Sequence, residues 1–167
     1  GMLGQLFLRQ MALSMEKMAL EHVKYPSAGL NMDALIVGIY FHDVGRVVSD
    51  DDDHGQQSFR LFLEFAQSRS LPSEFIEIVK DCCLWHGSAD TPLTQEGRFV
   101  QALDKEIVYQ PEVMIAFLMQ LTHTGMEFDE AYLVFLAKMK KWTGKMHNKN
   151  QYAATLRLLE DLARGKI

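Results

Sequence analysis

Apolar residues recur along almost the whole chain at three- and four-residue intervals, and no run alternates with the two-residue period of a half-buried strand. This pattern predicts an all-α protein: one domain over residues 2–167, with additional helices over about 110–165. A first helix over about 3–23 stops near Pro26, because proline cannot continue the hydrogen-bond ladder and restricts its predecessor. A second, over about 32–43, starts from Asn31 or Asp33, carries Leu35, Ile36 and Ile39 on one face and ends before Gly45. A third, about 54–68, turns Phe62 and Phe65 inward, and Pro72 with Ser73 opens a fourth that runs to His86. Beyond a loop over 87–92, a fifth covers about 95–109 and precedes Pro111, and the stretches 112–122, 128–145 and 151–164 are each amphipathic.

Two acidic side chains break this pattern on its buried side. Asp43 lies four residues after Ile39 and seven after Ile36, so helical geometry places its carboxylate on the stripe that faces the core. Asp104, four residues after Val100 and three before Ile107, stands on or beside another buried stripe. A carboxylate leaving water must be paired, hydrogen-bonded or bound to a metal, or else it takes up a proton. Imidazoles accompany these acids. His42 adjoins Asp43, His86 ends the fourth helix, and His54 opens the third on the face of Ser58 and Phe62. Imidazole and carboxylate together suit iron, manganese, zinc or nickel, whereas Mg²⁺ favours a site richer in oxygen.

Composition narrows the function classes. A formal net charge of -5 and a pI near 5.7 argue against a surface that neutralises nucleic-acid phosphates, and the longest apolar runs are too short to cross a bilayer. No cleavable leader is expected and the reading is cytoplasmic, with Gly1 set aside as an added residue before Met2. Cys82 and Cys83, adjacent in an apolar stretch, are expected as buried free thiols. The acidic run 50–53 lacks the glutamate that a calcium loop needs at its last position, where Leu61 stands, so helix capping is its expected role.

The ordered set His42-Asp43, His54, His86, Asp104 resembles the HD-domain metal-dependent phosphohydrolases. "LIVGIYFHDVGR" at 35–46 looks like the family's apolar helix ending in HD-x-G-[KR], and "HGQQS" at 54–58 and "LWHGS" at 84–88 are similar to its next histidine motifs. "EGRFVQALDKEI" at 96–107 is similar to the helix that delivers the last aspartate, followed by a basic residue as Lys105 is here. The likeness covers about 11–109. One departure stands out: the family begins with a further histidine on the first helix, where the usual register falls near Gln5 or Leu6, and His22, 20 positions before His42, is the one candidate.

The resemblance implies an HD-type helical bundle that cleaves a small phosphate ester, a nucleotide or related metabolite. It implies one or two divalent ions, Fe, Mn, Zn or Ni, with Mg admitted. His42, Asp43 and Asp104 would hold one; His54 and His86 would hold a second with Asp43 bridging, or contact substrate phosphate. Arg46, Arg98 and Lys105 are the candidate phosphate clamps. A non-catalytic binding or signalling module with an incomplete metal site is the alternative. A homodimer or an apolar pocket built on Phe117, Met119, Phe128, Phe135 and Met139 is a further reading of the C-terminal helices.

Overall fold

The computed structural model describes residues 2–22, 29–48, 54–87, 91–144, 146 and 149–165. Among these residues the chain is all-helical, as the periodicity predicts, with eight α-helices: α1 (Met2–His22), α2 (Met32–Phe41), α3 (His54–Ala66), α4 (Ser73–Trp85), α5 (Gln95–Glu106), α6 (Pro111–His123), α7 (Phe128–Gly144) and α8 (Lys149–Ala163). Two short 3₁₀ helices, Val44–Val47 and Ile107–Tyr109, follow α2 and α5. None of the helices is long and apolar enough to cross a membrane. The acidic run 50–53 and the side chain of His22 lie outside the described residues. The helices gather into two compact units, Gly1–Asp104 and Lys105–Ile167.

In the first unit, α2 is the central element and packs on α4, with α3 against both and α1 on α2. The reason lies in its composition: Ala34, Leu35 and Ile39 are fully buried, each large side chain contributing about 1.5–3 kcal/mol by leaving water. Its start is fixed twice. Asn31 Oδ1 accepts from the Ala34 N–H at 3.1 Å, a side-chain N-cap, and the Asn31 N–H in turn donates to Glu96 Oε1 of α5 at 2.6 Å. Helix α1 offers Met11, Met15 and Ala19, a stripe four residues apart, to the core. Phe62 is buried, with Phe41 edge-on at 5.4 Å between ring centroids.

Phe65 departs from expectation. It is 42% exposed, lying beside Phe41 with the Arg69 guanidinium 3.8 Å above its ring. Three residues past Phe62, it falls on the flank of the stripe, where a cation covers one face and water the rest. Helix α2 also ends two residues sooner than predicted, so His42 and Asp43 stand in a turn beyond it.

Two glycines set the spacing of this unit. A Cβ at Gly55 would lie 2.6 Å from the Cys83 carbonyl oxygen, so α3 approaches α4 more closely than an alanine there would allow. A Cβ at Gly45 would strike the backbone at His54 and Ser58, and the Gly45 N–H donates to the fully buried Ser58 hydroxyl at 2.8 Å. Cys82 and Cys83 are buried free thiols, as expected, and burial pushes both pKa values up.

The second unit is a stack of α6 on α7 and α7 on α8. Its core holds Val113, Phe117, Phe135 and Met139. Met119 and Phe128, read from sequence as part of the same apolar set, are 57% and 60% exposed, because they lie on the outer faces of their helices. Tyr109 and Tyr152 stack with ring centroids 4.3 Å apart, and the Tyr132 hydroxyl donates to the Leu159 carbonyl at 2.9 Å.

Candidate metal centre

A helix end leaves its last carbonyls without intrahelical partners, and two histidines exploit this in the same way. His42 is the C-cap of α2 and places Nδ1 2.7 Å from the Ile39 carbonyl; His86 is the C-cap of α4 and places Nδ1 2.8 Å from the Cys83 carbonyl. A carbonyl oxygen has no proton to give, so each Nδ1 carries the hydrogen and donates it. In the neutral imidazole this leaves Nε2 as a bare lone pair, oriented by the backbone. Both side chains are buried.

Asp43 lies between them. Its Oδ1 is 3.1 Å from His86 Nε2, 3.2 Å from His54 Nε2 and 2.9 Å from Arg46 Nε. His54 Nε2 is also 3.1 Å from His86 Nε2. On the other side, Asp104 Oδ1 stands 3.6 Å from His42 Nε2, beyond hydrogen-bond reach. Among the described residues, His42 Nε2 is thus a fully buried nitrogen with no hydrogen-bond partner.

Such a set of facing acceptors requires positive charge. With neutral His86 committed to Cys83, its Nε2 lone pair meets a carboxylate oxygen, and only a second proton or a cation relieves that contact. Burial alone would drive the Asp43 carboxyl upward, yet hydrogen bonds from His54 and His86 and the field of His42 and His86 outweigh it and hold its pKa well below the ordinary value. Burial likewise works against charging His42, but Asp104 and Asp43 prevail and its pKa is raised.

The donor set fits a divalent ion. One ligand atom each from His42, Asp43 and His86 can be chosen so that all lie within 4.8 Å of one another, and all three residues are buried. Two donors bound at about 2.0–2.2 Å to one ion stand roughly 3–3.5 Å apart, close to the 3.1 Å between His86 Nε2 and Asp43 Oδ1. The buried His42-Asp43-His86 group can therefore hold a metal ion. His54 flanks it on the Asp43 and His86 side, and Asp104, on α5, flanks it on the His42 side with its side chain 21% exposed.

Of the predicted cations, Arg46 reaches the group directly, through Asp43. Arg98 instead donates to the loop carbonyls of Pro92 and Leu93, at 3.0 and 2.9 Å. Lys105 is the first residue of the second unit. Gln5 and Leu6, where the family's first histidine would fall, are exposed on α1.

Two further buried acids escaped the sequence reading. Asp81, on the buried face of α4, accepts from the Leu93 and Thr94 N–H groups at 3.2 and 2.8 Å and from the Thr94 hydroxyl at 2.7 Å, while the Thr94 Oγ1 accepts from Gly97 N–H at 2.9 Å. Glu96 holds the start of α2. Together they anchor the N-terminal turn of the helix that carries Asp104. The available signal was position alone: Asp81 falls between Ile78 and Cys82 on a buried stripe. No family model, curated protein or solved structure matches the chain.

Proposed function

We propose that this chain is a metal-dependent phosphohydrolase of the HD type, acting on a small phosphate ester such as a nucleotide or a related metabolite. The observation that carries the reading is the buried Nε2 of His42, without a hydrogen-bond partner among the described residues, grouped with His86 and Asp43. A bound divalent ion of the Fe, Mn, Zn or Ni kind would supply Lewis acidity, activating water and neutralising charge on phosphoryl oxygens. His42, Asp43 and His86 would hold the ion, and the Ile39 and Cys83 carbonyls fix which nitrogen of each imidazole it meets. His54 and Asp104 extend the donor set on either side, for a second ion or for a substrate phosphate. Arg46, 39% exposed, brings a guanidinium to the edge of the cluster, and the resemblance assigns Lys105 to the same anion-binding task.

Metal analysis of the purified chain, followed by assay on phosphomonoesters and nucleotides with added Mn²⁺ or Fe²⁺, tests this directly. Bound metal and turnover that disappears in Asp43→Ala are the expected results. A non-catalytic module is the second reading, favoured by the absence of an imidazole at exposed Gln5 and Leu6 on α1. Its expected result is no metal and no turnover.

A further inference from the structure

Arg46 does more in this geometry than wait for phosphate. It follows Asp43 by three residues across the 3₁₀ turn Val44–Val47, where side chains three apart eclipse, and the Arg46 N–H closes that turn on the Asp43 carbonyl at 3.0 Å. The eclipsed side chains meet: Arg46 Nε donates to Asp43 Oδ1 at 2.9 Å. That same oxygen lies 3.1 Å from His86 Nε2, a member of the metal-ligating group. One carboxylate therefore serves both as acceptor for a guanidinium and as donor to the candidate centre. A divalent cation and a guanidinium are drawn to the same negative charge and repel each other, the more strongly for the low polarity around buried Asp43. Arg46 itself is 39% exposed, so its charged head can move into water without leaving a buried cation behind.

Resting on the metal reading above, we infer that Arg46 is the resident counter-ion of Asp43, displaced by the incoming metal and thereby released to bind the substrate's phosphate. In the metal-free chain the guanidinium shares the buried carboxylate oxygen with the imidazoles of His54 and His86. Once the carboxylate serves an ion, the arginine is held by its own backbone at the edge of the cluster, where its donors face an arriving anion. Metal loading and anion binding are then coupled through one side chain, with the metal first.

The full-length protein, stripped with EDTA, is titrated with Mn²⁺ while the free ion is followed by electron paramagnetic resonance. Arg46→Ala is expected to bind Mn²⁺ about 3- to 10-fold more tightly than wild type, having lost a charged hydrogen bond weakened by partial exposure. Arg46→Gln, which retains a polar stem without charge, carries the same expectation should the alanine variant not fold. Inorganic phosphate provides the second arm: saturating Mn²⁺ raises its affinity for wild type by a larger factor than for the variant. Unchanged or weaker Mn²⁺ binding by folded variants overturns the coupling, because Arg46 would then be supporting the centre rather than competing with it. A wild type that binds no Mn²⁺ overturns the metal reading as well. Mn²⁺-dependent turnover with an unshifted variant affinity overturns the coupling alone.

Discussion

Asp43 and Asp81 pose the same physical problem, a carboxylate withdrawn from water, and answer it differently. Asp81 is satisfied by two backbone N–H groups and a hydroxyl at the start of α5, whereas Asp43 faces imidazole nitrogens and one guanidinium. The two answers separate on substitution. Asp43→Ala should lower metal affinity by at least about 100-fold, more than the loss of an outer partner costs, as read by metal content after dialysis. Asp81→Ala should destabilise the fold by about 2 kcal/mol through unpaired N–H groups, seen in urea unfolding, while bound metal is retained. Acidity gives a third test. Because His42 is more basic in the fold, its contribution to metal-free stability is complete below its unfolded pKa of about 6.5 and is lost as pH rises through the raised value. Asp43 acts in the opposite sense, contributing above about pH 3.9 and failing as pH falls through its lowered pKa. A metal ion needs neutral His42, so Mn²⁺ affinity should fall as pH drops through the raised His42 value. Thermal midpoints in EDTA should decline from mildly acidic to mildly alkaline pH, and the increment added by Mn²⁺ should grow over the same interval.

At the scale of elements, helix existence was legible because the 3.6-residue period survives in nearly every segment, and the observed starts at Met32 and Ser73 are those expected from capping and proline signals. Ends were less so. Helix α2 stops at Phe41 and α5 at Glu106, each giving way to a 3₁₀ turn that periodicity does not distinguish from a continuing α-helix. That small change matters for Arg46, whose alignment with Asp43 comes from the tighter turn. The burial of His42 and Asp43 was legible but not its geometry, since both point inward from a turn beyond α2 rather than from a helical stripe, while the roles of Asp81 and Glu96 depend on partners far along the chain. Gly55 shows how packing reaches the centre: it lies against the Cys83 carbonyl, the group that accepts from His86 Nδ1. Gly55→Ala should therefore cost about 1–3 kcal/mol and also weaken metal binding, whereas Gly87→Ala, with open space around it, should not weaken metal binding. Parallel thermal unfolding and Mn²⁺ titration of the two variants make the comparison.

For the whole molecule, the candidate ligands His42, Asp43 and His86 all belong to the first unit. An ion at about 100 times its dissociation constant adds roughly 2.7 kcal/mol to whatever unfolds with it. Hydrogen exchange with and without Mn²⁺ should place the gain in protection in α2 and α4, the helices that end at the centre, rather than in α7 and α8.

The C-cap positions of His42 and His86 also fix the local backbone field. Two helices terminate at the cluster, and a helix terminus of this kind carries roughly half a negative charge. Phosphate-binding folds commonly offer an anion the opposite, electropositive end. The cluster has one such end as well, because α3 begins at His54: the ends of α2 and α4 favour a cation between His42 and His86, while the start of α3 favours an anion beside it.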